Sequence, residues 1–560
     1  MKKNNNVPIF IGVIAVVVLI VIICISAVIK NLARRVTDTD FTPSGGDLTV
    51  ETMLDNINVY EATPVKASIE LTNTTLYDEL PDISKYPLAV EGNGDIDIEI
   101  FTSGEKAGKN TDAWLIDVAE EFNNSRVTTA SGKSVSMSVR SVSSGLAADY
   151  IASGRYEPDL YTPSNTLFGE YCIVNGGQLE LYNERTVGNT AGILVKKDSG
   201  YTSVDKVIDD VIAGKINLGY TNPQTSATGL NLLITILKDY GGDNMFSDDA
   251  INTFSTFNNN IPFVAYTTQQ MRDSASNGSL DAMVSEYQAY INDQNLTSMY
   301  DFLPFGIRHD NPLYLVNPSG KSDEELEAVG LINDFMMNSE SQKVATKYGF
   351  NANDDASSAY TTSGAEISQA LDVYKKNKDS GKDIIAVFVA DCSGSMDGAP
   401  IIALRDSLTN GMQYINDNNY VGLVSYSDDV TIELPVGQFD LTQKSYFQGA
   451  VNNLYANGAT ASYDAIVVAM DMIEKAKVDH PDAKCMIFLL SDGAQNRGYS
   501  LSSITPALQE STIPVYTISY GDEGDADALA ELSAVNEAAA ISADSDDIMY
   551  KIKSLFNSSL

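Results

Sequence analysis

An α/β architecture with mostly parallel sheets is predicted by three features of the sequence. A continuous apolar strand, 384–390, stops at Asp391; strand and helix patterns alternate from Ile96 to Phe350; and hydroxyl-rich loops follow the strands. Strands that are apolar throughout are buried on both faces, as in parallel sheets, and open sheets carry their sites at the strands' carboxyl ends. Ahead of both modules, residues 7–29 form an uncharged apolar run. A helix of that length crosses about 30 Å of hydrocarbon.

Composition narrows the function classes. The chain has 560 residues, long enough for more than one core, with 75 Asp+Glu against 36 Lys+Arg and a net charge of −39. Such a chain repels phosphate backbones, so nucleic acid is not expected as a partner. His309 and His480 are its two histidines, and Cys24, Cys172, Cys392 and Cys485 lie far apart. Neither a zinc-type cluster nor a Ser/His/Asp arrangement can be assembled from them, so any metal must be held by oxygen. The chain reads as a binding protein and not as an enzyme.

In chain order, residues 1–6 are a tail and 7–29 a transmembrane helix. The apolar run exceeds the about 7 to 15 residues of a signal-peptide core, and no small-x-small cleavage site follows it. Lys2 and Lys3 on one side nearly balance Lys30, Arg34 and Arg35 on the other, so flanking charge leaves the orientation open. Residues 30–94 open with Thr, Asp, Ser and Gly and read as a stalk followed by an irregular collar.

Residues 95–355 repeat a unit of strand, polar loop and helix. Loops at strand ends supply Thr102 and Ser103, Ser143 and Ser144, Ser164 and Asn165, and Asn222, Thr225, Ser226 and Thr228. Hydroxyls and free N–H groups at helix starts suit a polar or anionic ligand, though the same residue types also cap helices. The stretch Tyr220-Thr221-Asn222-Pro223-Gln224-Thr225-Ser226-Ala227-Thr228-Gly229 resembles the Thr-Ser-x-Thr-Gly loop of type II periplasmic-binding proteins. Gly192–Asp198 resembles that family's crossing into a second lobe, Ile261–Tyr266 its return strand, and Gln342–Phe350 its closing helix. The resemblance implies a two-lobed, solute-binding-like domain. It adds Glu286 and Tyr287 to the cleft and implies a small polar or anionic solute, with the bulk of the chain outside the cell as a single-pass membrane protein. The cleft loops contribute little Arg, leaving Lys106 or Lys109 to meet an anion.

Residues 356–382 read as a linker with a short helix, and 383–560 as a Rossmann-like, doubly wound module. Asp391-Cys392-Ser393-Gly394-Ser395 offers only oxygen side chains around a glycine turn, the donors a hard cation prefers. It resembles the Asp-x-Ser-x-Ser of the metal-ion-dependent adhesion site in von Willebrand factor A domains. Thr460, in Asn457-Gly458-Ala459-Thr460, and Asp492, in Ser491-Asp492-Gly493, resemble the second and third metal loops. The resemblance implies Mg²⁺, or Mn²⁺ or Ca²⁺ in its place, with Ser393, Ser395 and Thr460 binding directly and Asp391 and Asp492 through water. A protein partner's carboxylate would fill the open position. The resulting expectation is a cell-surface adhesion protein with a solute-binding-like module. The alternative is a transport or sensing receptor in which the C-terminal domain is an assembly handle.

Overall fold

The computed structural model describes residues 49–69, 75–261, 263–265, 271–272, 280–377, 383–492, 495–520, 526–536 and 540–543. The span expected at 7–29 lies outside them. Among the described residues no helix is long and apolar enough to cross a membrane.

The C-terminal sheet has seven strands, in the order Val59–Glu61, Val430–Gln438, Tyr420–Tyr426, Ile384–Asp391, Lys484–Ser491, Val515–Tyr520 and Ala540–Ala543. Ile384–Asp391 is central, parallel to both neighbours and buried throughout. Burial of both faces, alternating with a period of two, explains why it is apolar from Ile384 to Ala390. Ile384, Ala386, Phe388 and Ala390 enter one core, while Ile385, Val387 and Val389 enter the core on the other face. Phe388 stacks on Phe488 at 5.1 Å between ring centroids, tying the two central strands together. All parallel strands end at the same pole, so Asp391 and Ser491 finish side by side.

The middle domain has two sheets. The first lobe orders its strands Leu88–Val90, Val135–Ser141, Ile96–Thr102, Leu160–Thr162, Leu313–Val316 and Leu179–Asn183. The second orders them Tyr300–Pro304, Ala191–Lys196, Ala282–Glu286, Leu218–Thr221 and Phe263–Ala265. Two segments join the lobes, and they bridge each other where Asn189 N donates to His309 O (2.8 Å) and His309 N to Asn189 O (3.1 Å). The return to the first lobe therefore runs through 305–311. Phe263–Ala265, expected to be the return, is instead an edge strand of the second lobe, parallel to Leu218–Thr221.

The stretch read as stalk and collar, 30–94, contributes to both domains from Thr49 onward. Thr49 caps the short helix Val50–Leu54, and Val50, Met53 and Ile57 are buried in a core of the C-terminal domain. Val59–Glu61 then adds a parallel edge strand in register Val59↔Val430. Farther on, the chain crosses the helix Leu441–Asn453 so closely that a Cβ on Gly449 would stand 1.8 Å from the Val65 carbonyl oxygen. Leu80 and the strand Leu88–Val90 belong to the middle domain. The solute-binding-like module is thus inserted between residues 49–69 and 383–543 of one C-terminal fold. Elements of three to five residues are too short to show a hydrophobic period, which is why sequence reading takes them for a stalk.

Candidate functional site

Three loops meet at the carboxyl pole of the C-terminal sheet. Asp391 is fully buried and its carboxylate accepts three bonds from the protein, which leaves Oδ1 one further acceptor site: Oδ1 accepts from Ser393 N (2.8 Å), and Oδ2 from Ser491 Oγ (2.6 Å) and Tyr426 OH (3.0 Å). It is thereby a brace of the turn, suited to reach an ion through water. Ser393 Oγ lies 3.0 Å from Ser395 Oγ, which lies 2.8 Å from Asp492 Oδ1. Adjacent ligands of an octahedral ion bound at about 2.1 Å stand about 3.0 Å apart, a spacing that the two serine hydroxyls match, while Asp492, hydrogen-bonded to Ser395, stands beside them as an acceptor for a bound water.

The second loop is fastened to the first by backbone bonds. Gly394 N donates to Gly458 O (3.0 Å) and Asn457 N to Cys392 O (2.7 Å). A Cβ on Gly394 would approach the Gly458 oxygen to 3.2 Å, so glycine permits this contact. Thr460 is buried against the same loops, and its N–H donates to Asn496 Oδ1 (2.9 Å). Asn496 N and Arg497 N donate in turn to Thr460 O. Asn496 thus orients the threonine, a role that no local motif signals. Burial pushes the Asp492 carboxyl up, with Ser395 opposing and the negative charge of Asp391 adding to the rise. A cation would reverse that rise. Among the described residues no group of three or more His, Cys, Asp or Glu could hold a metal, so this donor set is hydroxyls with two acids. Asp397 and Asp428 are exposed near it.

Between the lobes of the middle domain lies a cleft of about 220 Å³. Of the expected residues, Ser103, Ser143, Ser144, Ser164, Thr225, Ser226, Thr228 and Glu286 line it. Thr102, Asn165, Asn222 and Tyr287 do not. Asn165 Oδ1 accepts from Leu167 N (3.0 Å) and Asn222 Oδ1 from Gln224 N (2.9 Å), so both are turn-formers buried behind the wall. Thr102 is fully buried at its strand end, and Tyr287 packs edge-on against Phe302 at 5.0 Å.

Sequence reading missed Glu105, Asp112, Ser141 and Arg272 in the lining. Arg272 supplies the guanidinium that the loops seemed to lack, and its Nη2 pairs with Asp112 Oδ2 across the lobes (2.9 Å). Gln288 Nε2 also reaches Asp112 Oδ1 (3.1 Å), and Gly145 N donates to Thr225 O (3.1 Å). These bonds hold the lobes shut. A Cβ on Gly145 would stand 2.1 Å from the Gln224 carbonyl oxygen, so closure to this distance requires glycine.

Charge in the cleft is paired. Glu105 Oε1 accepts from Ser103 Oγ (2.5 Å), Ser164 Oγ (2.7 Å) and Lys106 Nζ (3.2 Å). Burial pushes this carboxyl up, but Lys106 and the two hydroxyls outweigh it and hold it below the usual carboxylate range. Lys106 is itself buried and braces the inter-lobe segment through Asn311 Oδ1 (2.7 Å), so it is a structural cation and not a free one. Glu286 accepts from His309 Nδ1 (2.9 Å), Thr228 Oγ1 (3.0 Å) and Asn189 Nδ2 (3.1 Å), joining the cleft wall to both crossing segments.

Comparison with known families separates the two modules. Residues 386–557 match the von Willebrand factor type A domain, and residues 107–351 match the bacterial extracellular solute-binding proteins. The chain carries both domains. Similarity to curated proteins includes the voltage-dependent calcium channel subunit alpha-2/delta-2 of Homo sapiens, 24% identical over 22% of this chain and 11% of that protein. It also includes inter-alpha-trypsin inhibitor heavy chain H3 of Mus musculus, 28% identical over 28% of this chain and 17% of that protein. The chain thus spans less than a fifth of these relatives' length. Among solved structures, the sulfate-binding protein SubI of Mycobacterium tuberculosis H37Rv is 17% identical, with 46% of this chain and 86% of that one covered at a TM-score of 0.34. A von Willebrand factor type A protein from Catenulispora acidiphila is 19% identical, with 32% and 43% covered at a TM-score of 0.30.

Proposed function

We propose that this is a membrane-anchored cell-surface binding protein whose von Willebrand A domain engages a protein partner through a divalent cation, Mg²⁺ in the first instance. The observation that carries the reading is the cluster of Ser393 Oγ, Ser395 Oγ and Asp492 Oδ1 at 2.8–3.0 Å, with Thr460 held alongside by Asn496. Ser393, Ser395 and Thr460 would hold the ion directly, and Asp391 and Asp492 through water. The ion would offer a coordination position to a partner's carboxylate. The donor set, hydroxyls with two acids around one point, supports adhesion as the reading. The apolar run at 7–29 supports a single-pass anchor with the bulk of the chain outside the cell.

Titration of the folded protein with Mg²⁺ tests the metal reading by thermal shift and calorimetry. Saturable binding that Asp492→Ala abolishes supports it; equal stability in Mg²⁺ and EDTA, with no heat of binding, rejects it. A second reading, a transport or sensing receptor, is favoured by the closed, hydroxyl-lined cleft. A solute panel covering small oxyanions, amino acids and neutral polar molecules tests that reading. It fails if nothing in the panel shifts the melting of the middle domain.

A further inference from the structure

The hydroxyls of the cleft divide by where their protons go. A serine or threonine has one proton to donate. Ser103 Oγ and Ser164 Oγ both give theirs to Glu105 Oε1 (2.5 and 2.7 Å), and Thr228 Oγ1 gives its proton to Glu286 Oε1 (3.0 Å). These hydroxyls are spent, and offer an incoming solute only lone pairs. Glu105 is the centre of this acceptor wall. Its Oε1 takes every side-chain bond the carboxylate accepts, and Oε2 accepts from no side chain among the described residues. Lys106 Nζ, fully buried, reaches Oε1 (3.2 Å) and Ser103 Oγ (2.6 Å) from behind the wall, so it keeps Glu105 ionised without entering the cleft.

Across Ser164 the chemistry reverses. Ser164 N donates to Ser144 Oγ (3.4 Å), which leaves the Ser144 proton for a solute. Ser143 Oγ is buried, has no partner among the described residues, and does not cap the helix Ser144–Ser153 that it precedes. Both hydroxyls line the cleft at the positive end of that helix, a position that favours a carboxylate. Ser164 bonds Glu105 through Oγ and Ser144 through N, so one residue separates the acceptor pole from the donor pole.

We infer, on the receptor reading given above, that the cleft takes a small zwitterion whose primary ammonium meets Glu105 Oε2 and whose carboxylate meets Ser143 and Ser144. Amino acids with small side chains are the type. The cleft's volume of about 220 Å³ is that of about seven waters in the liquid, which suits them. Among the described residues Ala227 and Ala289 are the only apolar side chains in its lining, and none is aromatic. A quaternary ammonium would lack the ring faces that bind it, and a large hydrophobic side chain would lack contacts. An inorganic oxyanion is the poorer occupant, because it needs donors and would meet the Glu105 carboxylate and two spent hydroxyls. Arg272, the guanidinium in the lining, is held by Asp112 (2.9 Å).

Calorimetric titration of the full chain with matched solutes tests the assignment without any variant. Glycine, L-alanine and L-serine are each compared with the acid that lacks the ammonium (acetate, propionate, 3-hydroxypropionate) and the amine that lacks the carboxylate (methylamine, ethylamine, ethanolamine). Inorganic sulfate and phosphate are titrated alongside. At least one amino acid is expected to bind at least tenfold tighter than its acid, its amine and both oxyanions. Glu105→Gln should erase the preference over the acid, and Ser143→Ala should narrow the preference over the amine; if either variant fails to fold, the matched solutes on the unaltered chain decide. An acid, amine or oxyanion that binds as tightly as the best amino acid overturns the zwitterion assignment and leaves the receptor reading standing. The absence of binding by all three amino acids also overturns it, and the receptor reading then falls only if the wider solute panel fails as well.

Discussion

The metal loops and the solute cleft are both built at the carboxyl ends of strands, yet they are organised in different ways. The candidate metal site is braced by the fold itself: Asp391 accepts three bonds and is not free to move. The cleft is made by closure of two lobes, and its walls touch through Gly145 with Thr225 and Arg272 with Asp112. One site is tied down by its own loops, whereas the other is completed by the meeting of two lobes. The lesson is that a strand-end loop is a precise site when its own backbone ties it down, and an adjustable one when a second lobe must complete it.

Substitutions can break this contrast, and the largest effect is expected at Asp391. Asp391→Ala removes the acceptor that Tyr426 OH, Ser491 Oγ and Ser393 N share, which costs about 3 to 5 kcal/mol by the usual penalty for breaking a buried charged network. Denaturant unfolding should show the loss in EDTA, and a larger one in Mg²⁺, where the lost metal stabilisation adds to it. Deleting 49–69 comes next. Removing Val50, Met53 and Ile57 from the core is expected to destabilise the C-terminal domain by about 2 to 4 kcal/mol, seen as a lower melting temperature of that transition alone.

Gly145→Ala sharpens the contrast from the other side. The new Cβ meets the Gln224 oxygen at 2.1 Å, so the lobes cannot close fully. Affinity for whatever solute the panel identifies should fall about tenfold or more, roughly 1.4 kcal/mol, and small-angle scattering should report an opened middle domain. Metal binding should not change. Asp492→Ala is the matching test at the rigid site: its carboxylate is partly exposed and accepts from Ser395 alone among the described side chains. Stability without metal should change by less than about 1 kcal/mol, while Mg²⁺ stabilisation disappears.

The smallest expected effect is on pH dependence. Glu105 is held below its unfolded range by Lys106, Ser103 and Ser164 against the opposing pull of burial. A depressed carboxyl contributes its stability above the unfolded value, about 4.3, and that stability is lost as pH falls toward the folded value. The middle domain should therefore lose stability on acidification below about pH 4, and Glu105→Gln should flatten that limb of the curve.

The sequence by itself determined the two α/β modules, the apolar run at 7–29 and the three loops that meet at the carboxyl pole of the C-terminal sheet. Asp391, Ser393 and Ser395 follow one buried strand within five residues, so the chemistry is local and a short motif contains it. Thr460 and Asp492 were legible because each closes a recognisable strand or loop pattern. Only the tertiary structure decided what depends on distant groups meeting. Asn496 orients Thr460, Arg272 faces Asp112 across the lobes, and residues 49–61 complete a sheet that begins more than 300 positions later. Asn165, Asn222 and Thr102 carry the right chemistry for a cleft, but turn bonds and burial withdraw them behind its wall. Residue type and spacing fix what a backbone segment can become, whereas the direction in which a buried polar group points is set by partners far away in the chain.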